Sequence, residues 1–356
     1  MIHWCQINVN QEDFFMKCVA INGVKSLEVK EIADPVSVDG RVVVEVKKAG
    51  ICGSDIHNWD AGAPEGLVMG HEFSGVVLDP GSRTDLKIGD RVTSLPISPC
   101  GECEACKSGN HQYCTQTWAH ALGLTLDNPG SMAQKTSFRP DMVRKLPDSV
   151  SDDEGAMVEP TAVSLHAVNL ANLKEGAKVL VIGGGVIGLG CAMFAKKAGA
   201  SLVVVSETNE NRGEKAVELG VADKYLDAKD PEFIVKAMTE SLGGFDAVIE
   251  CVGIGPAIDS AIFTVKNGGT IVLVGVSQKP VTTYSMLEVT KELKVFGAIA
   301  YTIKEFEDVI EMIANKEIDV MKFVTGTVSL DDTQKAFEDL TSGVGTDIKI
   351  LIDPAK

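Results

Sequence analysis

Four closely spaced cysteines form the strongest chemical signal in the chain. Cys100, Cys103, Cys106 and Cys114 follow the spacing Cx2Cx2Cx7C. Four thiolates are the ligands of a closed tetrahedral zinc site, which is typically structural. A ferredoxin-type iron–sulfur cluster matches less well, because that pattern places its fourth cysteine after three residues and a proline behind it. Here the gap is seven residues and Thr115 follows. Disulfides or free thiols are the remaining alternative.

A glycine-rich turn directly follows the apolar stretch Val179 to Ile182. Gly183, Gly185 and Gly188 give the pattern GxGxxG at the predicted junction of a strand and a helix. Such glycines allow a tight turn, a close approach of the backbone to a pyrophosphate, and packing of the helix on the strand. The predicted cofactor-binding residues are Gly183, Gly185, Val186, Ile187, Gly188, Glu207 and Arg212.

The choice of dinucleotide depends on Glu207, which lies nineteen residues beyond Gly188. A carboxylate at this place accepts hydrogen bonds from the adenosine ribose hydroxyls and repels a 2′-phosphate. The sequence therefore favours NAD over NADP. Ser206 and Arg212 flank the carboxylate and could accommodate a phosphate, so NADP stays open as the second choice.

Three short motifs, GICGSDIH, GHE and VEP, carry further residues that could do chemistry. These residues are Cys52, Ser54, His57, His71, Glu72 and Glu159. A thiolate, an imidazole and a carboxylate can hold a catalytic zinc with three protein ligands while a fourth position stays open. Each residue alone is more often part of the core or the surface. Their occurrence together with the quartet and the glycine pattern indicates a site.

In this order the motifs resemble those of the zinc-dependent medium-chain alcohol and polyol dehydrogenases. The resemblance covers essentially the whole chain from Met16 onward. Glu159 stands where the alcohol dehydrogenases have a third cysteine ligand, which is typical of the sorbitol and butanediol dehydrogenase branch. The resemblance implies an α/β protein with a GroES-like, mainly-β catalytic domain and a Rossmann domain. It also implies two zinc ions per chain, NAD, and a homo-oligomer, either a dimer or a tetramer.

The resemblance also implies a role for each motif residue. Cys52, His71 and Glu159 hold the catalytic zinc, and Glu72 is either an outer neighbour of the ion or an alternative ligand. Ser54 takes the proton of the substrate hydroxyl and passes it through the cofactor ribose to His57, which releases it to solvent. The implied reaction is oxidation of a secondary alcohol, such as a diol or polyol, to the ketone with transfer of a hydride to NAD.

Several alternatives stay open at this stage. Residues 58–69, at the border of the substrate pocket, are fewer than polyol dehydrogenases usually have there, so no named polyol follows. An L-threonine-type or phosphopolyol dehydrogenase is an alternative enzyme. An inactive zinc- and nucleotide-binding protein is the alternative from another class, and the intact ligand and relay residues count against it.

The elements that must position these residues differ between the two halves of the chain. Short strands with polar turns dominate up to about residue 150, and alternating strands and helices follow from Lys178. The alternation of strands and helices predicts a parallel, doubly wound sheet. We predict a catalytic domain over residues 1–161, in which 1–15 are an extension, a cofactor domain over 162–300, and a return to the catalytic domain over 301–356.

Composition excludes several classes of partner. The chain has 33 basic and 50 acidic residues, a net charge of −17, which disfavours binding to nucleic acid or anionic membranes. The longest uncharged stretch, Val179 to Ala195, has 17 residues and five glycines, so we interpret it as a buried strand and helix. Glu12 and Asp13 lie where a signal peptide would be basic and then apolar, so we expect a cytoplasmic protein.

Overall fold

The computed structural model describes residues 15–343 and 345–356, and in these it contains fifteen strands and eleven α-helices. Residues 1–14 of the predicted extension lie outside the described residues. The strands are β1 (Phe15–Ile21), β2 (Leu27–Ala33), β3 (Val42–Gly50), β4 (Glu72–Asp79), β5 (Arg91–Ser94), β6 (Lys135–Phe138), β7 (Val143–Lys145), β8 (Lys178–Ile182), β9 (Leu202–Glu207), β10 (Lys224–Asp227), β11 (Phe245–Glu250), β12 (Val265–Leu273), β13 (Lys294–Gly297), β14 (Val324–Val328) and β15 (Lys349–Ile352). The helices are α1 (Gly53–Ala61), α2 (Glu104–Lys107), α3 (Asp152–Ala156), α4 (Val158–Ala171), α5 (Val186–Lys197), α6 (Glu210–Glu218), α7 (Phe233–Glu240), α8 (Gly255–Thr264), α9 (Ser285–Thr290), α10 (Ile303–Ala314) and α11 (Thr333–Thr341).

A seven-stranded sheet combines strands from the first half of the chain with strands from its tail. Its order is β14–β15–β3–β4–β5–β7, and β6 also pairs with β3. The valines Val42, Val44 and Val46 of β3 are buried, as their alternation predicts for a strand that faces a core. Strand β15 runs antiparallel to the end of β3, which brings the tail beside the segment that leads into Cys52. Strands β1 and β2 form a separate antiparallel pair.

The second sheet has six parallel strands in the order β10–β9–β8–β11–β12–β13. Counted along the chain this order is 3-2-1-4-5-6, the doubly wound arrangement, so the predicted fold class is confirmed. Strands β8 and β11 are neighbours where the order reverses. The loops that follow them begin at Gly183 and Cys251 and therefore border the crevice in which such sheets bind ligands.

Helix α10 is fixed against α4 through one carboxylate. Glu305 completes the capping box at the start of α10 by accepting a hydrogen bond from the Thr302 N–H at 2.8 Å. It also bonds to Nδ1 of His166 at 2.9 Å and accepts from Nδ2 of Asn169 at 2.7 Å, both on α4. Burial alone would raise the pKa of Glu305, but the bonds from His166, Thr302 and Asn169 outweigh burial and lower its pKa to about 2.

Glu305→Gln is expected to lower the free energy of unfolding near neutral pH by about 1–3 kcal/mol, because it removes a charged acceptor from a set of partly buried hydrogen bonds. The pKa of Glu305 in the folded protein lies below the ordinary glutamate pKa. The stability that the Glu305 charge contributes is therefore fully present above the ordinary pKa and is lost as the pH falls towards about 2. The difference in the free energy of unfolding between variant and wild type should therefore become smaller on acidification. Denaturant titrations, down to the lowest pH at which both chains fold, check this; a gap that does not change with pH would contradict it.

Among the described residues, none of the helices is both long enough and apolar enough to cross a bilayer. The uncharged stretch that begins at Val179 forms strand β8, the glycine turn and most of α5, as predicted. The predicted domain limits stay predictions.

Candidate active site

The four cysteines of the quartet come together in one lobe. Their sulfur atoms lie within 4.8 Å of one another. Backbone N–H groups point at two of them: the Cys103 N–H donates to Cys100 Sγ at 3.3 Å, and the Cys100 N–H donates to Cys114 Sγ at 3.4 Å. Backbone bonds from Cys100 and Gln116 lower the pKa of Cys114 to about 6. Converging sulfurs with N–H donors around them fit a tetrahedral zinc ion.

A second set of metal-binding atoms is formed by Cys52, His71 and Glu72. Their ligand atoms also lie within 4.8 Å of one another. Cys52 is the N-cap of α1, and its N–H donates to the Asp55 carboxylate at 3.0 Å, which fixes the start of the helix. Gly70, with a φ of 98°, turns the chain just before His71, a conformation that side chains rarely allow. Glu72 then begins β4.

His71 is buried among acidic groups. Burial alone would lower the pKa of His71, but the charges of Asp55, Cys52 and Glu159 outweigh burial and raise its pKa well above the usual value. Asp55 Oδ1 lies 3.7 Å from Nδ1 of His71, on the side where a carboxylate orients a metal-bound imidazole. A cluster of this composition is the environment that a divalent cation neutralises, so the residues fit a catalytic zinc.

Glu72 is held by a lysine from the other end of the chain. Lys349 of β15 forms an ion pair with Glu72 Oε2 and donates to the carbonyl of Ile51 at 2.8 Å. Both charged side chains are only 1% exposed. Gly50 leaves room for the pair, since a Cβ there would lie 2.2 Å from Glu72 Oε2. The pairing with β15 thus places the cation that fixes one candidate ligand.

Glu159, the predicted third ligand, does not join the set formed by Cys52, His71 and Glu72. It lies in the first turn of α4 and is buried, and its Oε1 accepts a hydrogen bond from the Tyr301 hydroxyl at 2.9 Å. Burial raises the pKa of Glu159 to about 7. The structure therefore brings Glu72 within reach of the ion position and leaves Glu159 beside it.

The two predicted relay residues lie on α1. Ser54 Oγ is 3.5 Å from Nε2 of His71, so the hydroxyl lies beside the metal-binding set. His57 is exposed, three residues further along the same helix face, and it borders a cavity of about 570 Å³. The rest of that cavity is formed by the start of α8 and by the loops that follow β11 and β12, including Val252, Ile254 and Lys279.

The glycine turn has the geometry that the sequence predicts. Gly183 has a φ of 110°, and a Cβ on Gly188 would lie 1.9 Å from the Gly183 carbonyl oxygen, so a side chain at Gly188 would separate helix from strand. A Cβ on Gly185 would meet no atom within 4 Å, which leaves open space beside the N-terminus of α5. Val186 and Ile187 form the first turn of that helix. This turn fits the pyrophosphate of a dinucleotide.

Glu207 and Arg212 lie at the same end of the sheet. Glu207 Oε2 accepts from the Gly184 N–H at 2.7 Å, and its Oε1 accepts from the Asn209 N–H at 2.9 Å. Both residues border a cavity of about 430 Å³, together with Gly183 and Gly185. The Nε atom of Arg212 is buried, and no described residue accepts a hydrogen bond from it.

Sequence reasoning missed Lys349 and Tyr301. The one available signal for Lys349 was a lysine at the start of the otherwise apolar strand Lys-Ile-Leu-Ile. Tyr301 gave no signal, because a single tyrosine before a helix cap is ordinary. Both side chains contact carboxylates that lie far away in the sequence.

Comparison with known proteins places these features in a family. The alcohol dehydrogenase GroES-like domain matches residues 38–148, and the zinc-binding dehydrogenase domain matches residues 186–315. D-xylulose reductase A of Aspergillus niger is 34% identical over 358 residues, which cover 97% of this chain and 98% of that protein.

Solved structures agree with these matches. The 2R,3R-butanediol dehydrogenase of Bacillus subtilis has 31% identity and a TM-score of 0.84, with coverage of 95% of this chain and 99% of that chain. A zinc-binding dehydrogenase of Sinorhizobium meliloti 1021, bound to NADP, has 28% identity and a TM-score of 0.86, with coverage of 96% and 99%. The predicted pairing of a GroES-like domain with a Rossmann domain is confirmed, and the chain belongs to the zinc-dependent medium-chain dehydrogenases, with a polyol dehydrogenase-like character.

Proposed function

We propose that this protein is a zinc-dependent oxidoreductase that transfers a hydride from a secondary alcohol, a vicinal diol or polyol, to NAD and yields the ketone. One observation carries the proposal: Cys52, His71 and Glu72 converge next to Ser54 of α1. His57 is exposed on the same helix and borders the cavity beside the loops that follow β11 and β12. The relatives named for D-xylulose and for 2R,3R-butanediol support the substrate class.

The chain's own residues have separable tasks in this reaction. Cys52, His71 and Glu72 would hold the zinc ion, and Lys349 keeps the Glu72 carboxylate in place. When bound, zinc would lower the pKa of the substrate hydroxyl, and NAD would accept the hydride.

The released proton would leave by way of Ser54 and His57, which both lie on α1. Ser54 Oγ, beside the metal-binding set, accepts the proton from the hydroxyl and passes it towards exposed His57. His57 releases it to water. The products are therefore the ketone, NADH and a proton in solvent.

A substrate panel tests this proposal. Vicinal diols, polyols, sugar phosphates, L-threonine and primary alcohols are each offered with NAD, and initial rates of NADH formation are compared. A diol or polyol should give the highest kcat/KM. Preference for L-threonine or a sugar phosphate would replace the substrate class, and preference for primary alcohols would reject it while leaving the metal chemistry intact.

For the cofactor we expect NAD to give the higher kcat/KM in the wild type. The fixed carboxylate of Glu207 borders the adenosine cavity and would repel a 2′-phosphate. Glu207→Ala should shift the NADP/NAD ratio of kcat/KM towards NADP by roughly tenfold or more, which corresponds to about 1.4 kcal/mol. Arg212→Ala is the matched variant and should have the opposite effect, a lower kcat/KM with NADP. Higher efficiency of the wild type with NADP would refute the assignment of Glu207.

The proton relay gives a second expectation. His57→Ala should lower turnover in the oxidation direction by roughly 10²-fold, the lower end of what positioned acid–base groups supply, and added imidazole should restore part of it. Ser54→Ala should be impaired more strongly and should not respond to imidazole. Equal turnover of His57→Ala and wild type across neutral pH would remove His57 from the mechanism.

The assembly of the protein is also a proposal. Strand β13 is an edge of the parallel sheet and its residues are exposed, including Val295 and Phe296. An exposed apolar edge strand can pair with its own copy across a two-fold axis, which supports a homo-oligomer with the dimer as its unit. Whether two dimers form a tetramer, the cytoplasmic location and the lack of nucleic-acid and membrane partners stay predictions from the sequence.

A further inference from the structure

The carboxylate of Glu159 is positioned by a tyrosine. Glu159 is buried beside the set formed by Cys52, His71 and Glu72 but is not part of it. The Tyr301 hydroxyl donates a hydrogen bond to Glu159 Oε1 at 2.9 Å. Tyr301 is itself fully buried, so solvent does not compete for this bond.

Tyr301 is held rigidly in that position. Its ring packs against Phe306, with 5.5 Å between the ring centroids. The next residue, Thr302, is the N-cap of α10, and Glu305 in the first turn bonds to His166 on α4. Residues 159 and 166 are two helical turns apart on α4 and therefore lie on one face. Two bonds on this face thus fix α4 against the segment that carries Tyr301.

A Glu159 carboxylate that is released from this bond and reaches the metal-binding set would change the metal site. Zinc binds carboxylate oxygens readily, and a site with four protein ligands is closed, whereas a catalytic site keeps one position for the substrate. Cys52, His71 and Glu72 would already supply three ligands. A fourth from Glu159 would occupy the place that the substrate oxygen needs.

We propose that Tyr301 is a positioning residue whose hydroxyl holds Glu159 outside the coordination sphere of the catalytic zinc, so that the fourth position stays open to substrate. The inference rests on the proposed function, because it assumes a metal ion at Cys52, His71 and Glu72. Tyr301 acts through Glu159 and does not itself touch the reacting atoms.

The test uses the full-length enzyme with Co²⁺ in the catalytic site and zinc in the cysteine quartet. Tyr301→Phe removes only the hydroxyl. In the absence of substrate, the visible cobalt spectrum should change as Glu159 becomes a ligand. The KM for the preferred diol should rise by roughly tenfold or more, since the released Glu159 carboxylate would compete with the substrate oxygen for the fourth position, while the dissociation constant for NAD should stay the same. Tyr284→Phe, at a tyrosine whose ring packs at a tilt against Phe263, is the matched control and should leave the spectrum unchanged.

A double mutant separates this role from general destabilisation. In a Glu159→Ala background, Tyr301→Phe should have no further effect on the spectrum or on KM, because the group through which it acts is gone. The same change in both backgrounds, or no change in either, would overturn the proposal. If Tyr301→Phe does not fold, Glu159→Ala alone decides: retention of cobalt with an unchanged spectrum supports the proposal, and loss of the metal overturns it. Wild type that binds no metal at Cys52, His71 and Glu72 would instead refute the proposed function.

Discussion

Cys52→Ser is expected to abolish turnover while the chain stays folded. The thiolate is one of three ligand groups that converge at the candidate catalytic site, and a serine hydroxyl is a poor substitute for it. The loss of kcat should be roughly a thousandfold or more, because a catalytic metal supplies several kcal/mol of transition-state stabilisation. Turnover of the preferred diol and thermal unfolding are measured on the same preparation.

Cys18→Ala is the control for this variant. Cys18 is a fully buried thiol in β1, outside both groups of metal-binding residues. This variant should retain turnover, although its core packing is reduced. Near-normal turnover of Cys52→Ser, in a preparation shown to lack the catalytic metal, would refute the assigned role of Cys52.

Cys100→Ser is expected to have the opposite profile, a large loss of stability caused by release of the structural zinc. Structural zinc sites contribute apparent binding free energies of about 10–16 kcal/mol in small peptides, so loss of one ligand should cost several kcal/mol here. Zinc content should fall by one ion per chain, and the melting temperature should fall with it. Ser108→Ala, in the same lobe but without a metal ligand, is the matched control. An unchanged melting temperature in a Cys100→Ser protein that has lost the ion would contradict a structural role for the quartet.

The features that could be predicted from the sequence are local ones. The quartet lies within fifteen residues, so its spacing alone restricts how the sulfurs can meet. The turn around Gly183 and Gly188 is equally local, because the close contact between helix and strand requires a glycine at one fixed offset. The alternation of strands and helices after Lys178 was sufficient to predict the doubly wound sheet.

The features that could not be predicted depend on distant pairings. Lys349 meets Glu72 across 277 residues, and Tyr301 meets Glu159 across 142 residues. The first contact exists only because β15 pairs with the end of β3, and nothing in the residues of either strand specifies that neighbour. A buried lysine in an apolar strand indicates that the lysine has a partner, but it does not identify that partner.

The choice between Glu72 and Glu159 as a ligand shows the same limit. The VEP motif indicated Glu159, with Glu72 as an alternative ligand, and the structure places Glu72 among the converging atoms. Both carboxylates are near the site, and each one meets a different donor. Lys349 fixes one carboxylate and Tyr301 fixes the other, and both donors come from the last 56 residues of the chain.

Removal and return of the catalytic zinc tests the central claim most directly. Zinc per chain and NADH formation from a vicinal diol are measured together, before chelation, after chelation that removes one of the two ions, and after zinc is added back. We expect two ions and activity at the start, one ion and no activity after chelation, and both restored by added zinc. Full activity with the Cys52, His71 and Glu72 site shown to be empty would contradict the account.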